Sequence, residues 1–177
     1  MILCAVLALA IRCGRGFAAD RSDFEIVWFD DGILLAVLLL APRWLWPEYL
    51  VAGFVGLFVG SAWIHEPVGR NLLLSSMNLM EAVVPALILR RRSTQLPDFT
   101  RPGYLLRFVA FAGVMGPLLP GLMKGGMNLF LHHGTFVGGV RAWFLGDSLS
   151  VLCVTPCMVA ILRTRWRSLL SPGWKLL

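Results

Sequence analysis

Charge is scarce in this chain. Asp, Glu, Lys and Arg together supply 15% of its 177 residues, and histidine occurs three times. A soluble domain commonly carries ~25% charged and ~45–50% apolar residues. Here the apolar share is 58% and the mean hydropathy is +0.75. So short a chain cannot hide that much apolar surface from water, because small domains leave a large fraction of their surface exposed. An ordinary cytosolic enzyme, a disordered chain and a disulfide-stapled secreted module are therefore excluded. The four cysteines (Cys4, Cys13, Cys153, Cys157) form no CxxC pair. Cys153 and Cys157 share a helix face within an apolar run, which reads as small buried residues. There is no Walker loop, no GxSxG and no HExxH. No 20–50-residue repeat and no long linker occurs. No catalytic set, cofactor or metal is implied by the residues, and the chain reads as non-enzymatic. His132 and His133 lack a fixed spacing to any acid, so they are assigned no metal.

The chain is rich instead in apolar runs of membrane-spanning length, for which ~20 residues suffice. Candidate spans fall at about 1–18, 26–42, 48–64, 68–89, 104–123 and 141–162, the first of them short. The expected fold is all-α: a polytopic transmembrane helical bundle of about six spans, forming one integral membrane domain over residues 1–177. Alternating the spans with both termini in the cytoplasm puts ten basic residues on the inner side and six on the outer. The clearest groups are residues 90–92 and the Arg163, Arg165, Arg167 tail, each coming after a long apolar run. The net charge of +6 is thus read as cytoplasmic loops of an inner-membrane protein and not as nucleic-acid binding. All seven tryptophans fall at or near proposed span ends, as interfacial belts require. Asp30 and Asp31 lie near the outer end of the second span and are expected to be solvated. Gly113, Gly116, Pro117, Pro120, Gly121, Gly125 and Gly126 crowd the end of the fifth span, which predicts a kink or an early stop. Residues 127–140 are then expected to form an outer loop or a re-entrant dip.

A few polar groups lie within these runs. On the fourth span Asn78, Glu81 and Pro85 are spaced by three and four, so they share a face. A charge at that depth costs ~2.5 kcal/mol or more unless it is paired or neutralised. Arg107, in the same half of the neighbouring span, is the expected ion-pair partner of Glu81. On the sixth span Trp143, Asp147 and Ser150 share a face, and Gly146 admits a close neighbour. Asn78, Glu81, Trp143, Asp147 and Ser150 are the candidate ligand-binding or sensing residues. The plain alternative is polar contacts that pin helices together. Ala52, Gly56 and Gly60 form a stripe of small residues on the third span, which reads as close helix packing within the chain or in a homodimer.

Three stretches carry a resemblance. The first is Trp28-Phe29-Asp30-Asp31-Gly32-Ile33-Leu34-Leu35-Ala36, then an apolar run, Pro42-Arg43 and Trp46-Pro47. The second is Asn78-Leu79-Met80-Glu81-Ala82 leading to Arg90-Arg91. The third is Trp143-Phe144-Leu145-Gly146-Asp147-Ser148-Leu149, then Val151-Leu152 and Pro156. In this order and spacing they resemble the MASE1 domain, a bacterial integral membrane sensor module, over about residues 26–162. Where the family commonly has Trp-Pro-Pro before the Gly-Ile of its second span, this chain inserts Phe29-Asp30-Asp31. Most members are fused to a histidine kinase, a diguanylate cyclase or a phosphodiesterase. Only 15 residues come after Leu162 here. The resemblance therefore implies the input half of a signalling protein without its own output domain.

The expected function is a non-enzymatic, membrane-embedded sensory input domain. Its partners would be the lipid bilayer, a small ligand or membrane protein, and a histidine kinase or cyclic-di-GMP module acting in trans. A small transporter or channel is the rival class, since such proteins use intramembrane carboxylates and broken helices. A membrane docking scaffold built on the glycine stripe is a third.

Overall fold

The computed structural model describes residues 2–17, 29–62, 67–91, 96–131 and 134–170, with side chains described as far as Ile11 in the first helix and Arg163 in the last. His65, Glu66, His132, His133, Trp28, Trp63 and Trp174 lie outside the described residues, as do the side chains of Cys13 and Trp166. Among the described residues every regular element is helical and no strand occurs. Helix α1 spans Ile2–Phe17, α2 Phe29–Leu40, α3 Trp46–Ala62 and α4 Val68–Arg91. Next come α5 Pro102–Phe108, α6 Gly116–Phe130 and α7 Phe136–Leu170. Four stretches are long and apolar enough to cross a membrane: Arg43–Ala62, Val68–Arg91, Pro102–Phe130 and Phe136–Arg163.

Helix α2 occupies the middle of the bundle. Its run Ile33, Leu34, Leu35, Ala36, Leu38 and Leu39 is buried on every side, which is the composition of a helix with no solvent or lipid face. It packs on α4, α7 and α1, while α1 lies along α3 and α6 along α7. The core joins Leu7 of α1, Leu34 and Leu38 of α2, Ala82 and Ala86 of α4, Phe108 of α5 and Val151 of α7. The outer helices instead show apolar stripes outward. Val51, Val55 and Val59 are exposed at four-residue spacing, as are Leu145 and Leu149, and Cys153 and Cys157, expected to be buried, are exposed on α7 as well. Such stripes belong against lipid tails.

Proline sets several boundaries. Pro42 ends α2 and starts a short 3-10 turn at Arg43–Leu45, and Pro47 lies in the first turn of α3. Arginines clamp this corner. Arg90 Nη1 donates to the carbonyls of Leu38 (3.0 Å) and Ala41, and Arg43 Nη2 donates to the carbonyl of Arg90 (3.1 Å). These bonds satisfy the carbonyls that a helix C-terminus leaves open. The Arg90 guanidinium also lies 5.7 Å from the centre of the Trp46 ring.

Two expectations about the C-terminal half are corrected. Of the kink or early stop expected of the fifth span, the early stop does not occur. The span widens into a π-helical stretch over Val109–Met115 and continues as α6 to Phe130. Backbone groups in hydrocarbon have no water to turn to, so the helix persists through residues that would end it in water. Nor do residues 127–140 form a loop or a dip. Most of them are helical, with a turn between α6 and α7 in which Gly134 adopts φ of 135°. The last span accordingly begins at Phe136 and not near residue 141.

Candidate functional site: a buried carboxyl cluster

The sequence places acids on three helices, and the fold brings them together. Asp30 and Asp31 open α2, Glu81 lies on α4 and Asp147 on α7; none is more than 2% exposed. One carboxylate oxygen each from Asp31, Glu81 and Asp147 lies within 4.8 Å of the other two. The approach of α2 to α7 depends on Gly32. A Cβ built there would stand 2.7 Å from the Val154 Cβ and 2.9 Å from the Ser150 carbonyl oxygen. The contact is sealed by Thr155 Oγ1, which donates to the Gly32 carbonyl at 3.0 Å. On its other flank α7 is held by Ser148 Oγ, which donates to the Gly113 carbonyl in the π-helical stretch at 2.8 Å.

Neutral donors line the cluster. Trp143 Nε1 donates to Glu81 Oε2 at 3.0 Å, joining α7 to α4. Asn78 Nδ2 donates to Asp30 Oδ2 at 3.4 Å, joining α4 to α2. Both Asp31 oxygens, Asp30 Oδ1, Glu81 Oε1, Asn78 Oδ1 and the Ser150 hydroxyl are buried without a hydrogen-bond partner among the described residues. Carboxylates confined this closely repel one another, and the repulsion is strong where water is excluded. Protons or a hard cation, which prefers carboxylate oxygens, would relieve it. The charge of the cluster and the packing of three helices are therefore tied together.

All five candidate sensing residues lie on α4 and α7, and each has a defined place. Asn78 and Glu81 face Asp30 and Trp143, Asp147 completes the acid group, and Ser150 is buried one turn further along α7. Trp143 is not an interfacial belt residue. Because α7 starts earlier than expected, its indole lies seven residues inside the helix and bonds to Glu81. Trp46 is also buried, whereas Trp44 is exposed. Arg107 does not pair with Glu81. It is exposed, and its Nε donates to the carbonyl of Gly103 one turn back at 3.0 Å. Gly56 and Gly60 of the Ala52, Gly56, Gly60 stripe face α1. A Cβ at Gly56 would stand 2.8 Å from the Cys4 carbonyl oxygen, and one at Gly60 2.8 Å from Ile11, so α1 fills the groove. Gly146 is buried beside Asp147.

Asp30 and Asp31 are not solvated, against expectation, but belong to the site. The sequence signal for this is the apolar run from Ile33 to Leu39. A helix buried on all sides cannot leave its first turn in water when its neighbours extend beyond it. Ser148 and Thr155 have no such signal, because hydroxyls that bond to a backbone carbonyl leave no mark in a hydropathy pattern.

The MASE1 family model matches residues 1–177. Among curated proteins, "Probable diguanylate cyclase DgcE" of Escherichia coli (strain K12) is 22% identical over 144 residues, which cover 79% of this chain and 13% of that protein. This chain therefore corresponds to a small part of that relative. No solved structure matches this chain.

Proposed function

The chain belongs to the MASE1 family of integral membrane sensory domains, and from that premise we propose that its buried carboxyl cluster is the switching element of a signalling input. The observation that carries this reading is the convergence of Asp31, Glu81 and Asp147 from three separate helices into one buried group. A sensor needs two packings of similar free energy and a stimulus that interacts differently with them. A cluster whose repulsion depends on its protons or cations has that property. Changing its charge changes how closely α2, α4 and α7 pack.

In this reading the domain performs no chemistry. It lies in the inner membrane with both termini in the cytoplasm. The signal passes along α7, the helix that bears Asp147 and leads into the basic tail. The output is a cyclic-di-GMP module or a histidine kinase, the former suggested by the diguanylate cyclase relative. The test is a fusion of the full chain to a diguanylate cyclase. Glu81→Gln and Asp147→Asn should each shift the basal cyclic-di-GMP level by several-fold, with membrane accumulation unchanged. Unchanged output from both variants would remove the assignment.

A transporter is the second reading. Buried acids beside a π-helical stretch containing Gly113 are features that transporters also use. Proton-driven solute uptake into proteoliposomes, abolished by Asp147→Asn, would favour it.

A further inference from the structure

A second site lies away from the carboxyl cluster, at the corner clamped by Arg43 and Arg90. There a cavity of about 400 Å³ opens between α1, α2, α3 and the Leu162–Arg163 stretch of α7. Its walls include Leu3, Leu40, Leu45, Tyr49, Leu162 and Arg163. Small-molecule pockets commonly hold ~300–1,000 Å³ behind mostly apolar walls, with a few polar groups that fix orientation. This cavity has that composition. Aliphatic side chains from four elements form its body, and Arg163 and Tyr49 are the polar side chains in its lining.

Arg163 supplies the specificity. Its Nη1 donates to the Pro97 carbonyl at 3.3 Å, which fixes the side chain, while its Nε is buried without a hydrogen-bond partner among the described residues. An N–H shielded from water that makes no bond loses free energy, and a carboxylate would restore it through a charge-assisted bond. Arginines predominate at the corner, with the Asp98 carboxylate as the acid close enough to Arg163 to interact with it. Arg90, at the end of α4, donates to the carbonyl of Ala41, and Arg43 follows Pro42 in the adjoining turn; Ala41 and Pro42 themselves line the cavity. Zwitterionic and cationic amphiphiles are therefore disfavoured relative to anionic ones. At about 400 Å³, near the lower end of that range, the cavity suits a single acyl chain.

We propose that this cavity binds a single-chain anionic amphiphile of the long-chain fatty acid class, with its carboxylate on Arg163 and its hydrocarbon chain between Leu40, Leu45 and Leu162. The site stands independently of the carboxyl cluster, since it shares no residue with it. Leu162 and Arg163 lie on α7, so occupancy bears on the helix that leads out of the domain.

The test uses the full chain in phosphatidylcholine vesicles with a diazirine-bearing hexadecanoic acid as the photoprobe. Labelling should map to the α2–α3 corner and to α7 around Leu162. Excess unlabelled hexadecanoic acid should displace it, and hexadecanol or phosphatidylglycerol should not. Arg163→Gln should reduce the labelling at least fivefold, and Leu40→Trp, which fills the cavity, should abolish it. Thermal unfolding of both variants in detergent checks that they fold, and Arg163→Lys should rescue part of the labelling. Equal competition by hexadecanol would show that the charge plays no part and overturn the proposal. Displacement by phosphatidylglycerol would assign the cavity to a membrane phospholipid and overturn it too. Labelling spread over the lipid-facing stripes, or none at the corner because the chain's own tail fills it, would also contradict it.

Discussion

The indole of Trp143 donates to the Glu81 carboxylate at 3.0 Å and so ties α7 to α4 at the depth where the acids meet. Trp143→Phe keeps an aromatic ring and removes the donor. A buried carboxylate oxygen then loses its partner, a loss worth ~1–3 kcal/mol. Thermal unfolding in detergent should show a lower midpoint, and the output of a fused cyclase should shift with it. An unchanged midpoint would mean that the bond contributes nothing to the packing.

Asp31 has the opposite expectation. Neither of its oxygens finds a hydrogen-bond partner among the described residues, and one lies within 4.8 Å of both Glu81 and Asp147. Removing one of several carboxyls held this closely removes like-charge repulsion that is strong away from water. Asp31→Asn should therefore raise the unfolding midpoint while it alters signalling, the trade expected where strain serves function. A lowered midpoint would show that the Asp31 charge is compensated.

Gly32 tests the geometry that brings α2 and α7 together. Its missing Cβ would fall 2.7 Å from Val154 and 2.9 Å from a backbone oxygen that cannot swing away. Gly32→Ala should overpack the contact and cost ~1–3 kcal/mol. Gly69→Ala, with nothing within 4 Å of the built Cβ, is the control and should unfold at or slightly above the parent's midpoint.

Outside the membrane, Asp98 has a simpler pH response. The Thr100 hydroxyl (2.6 Å) and backbone N–H (3.2 Å) both donate to its Oδ1 and hold the carboxyl below its ordinary value of 3.8. Arg101 Nε lies 3.1 Å from its Oδ2. Because the folded value is depressed, the stabilisation is present above the unfolded pKa. It is lost as pH falls through the folded value, in the window below about pH 4. The residue is solvent-facing, so the effect is small and weakened by salt. Thr100→Val should return the carboxyl towards 3.8, readable by carbon NMR of labelled aspartate. An unchanged titration would deny the turn its role.

Much of this architecture is legible in the sequence, and the parts that are not share a cause. The fourth span can be placed from the residues alone, because length and hydropathy decide whether a helix crosses lipid. The shared faces of Asn78 with Glu81, and of Asp147 with Ser150, come from helical spacing and direct those residues inward. Periodicity within one helix cannot supply the neighbour that lies opposite. Depth alone points Glu81 towards Arg107, but that side chain lies on the exposed side of α5. The site uses Trp143 and the Asp30–Asp31 pair instead, which span ends drawn from hydropathy put at the membrane surface. The glycines and prolines of the fifth span mislead for another reason. Their cost is set against water in soluble proteins, and in lipid the backbone has no such alternative.

Glu81 and Asp147 are taken to act as one unit, and everything proposed for the carboxyl cluster depends on it. The direct measurement is a double-mutant cycle on the basal cyclic-di-GMP level of the fused cyclase, with Glu81→Gln, Asp147→Asn and the pair together. Strong non-additivity is expected, the double variant differing little from either single one because each alone disrupts the shared cluster. Two independent effects that simply multiply, or no effect from either, would contradict it.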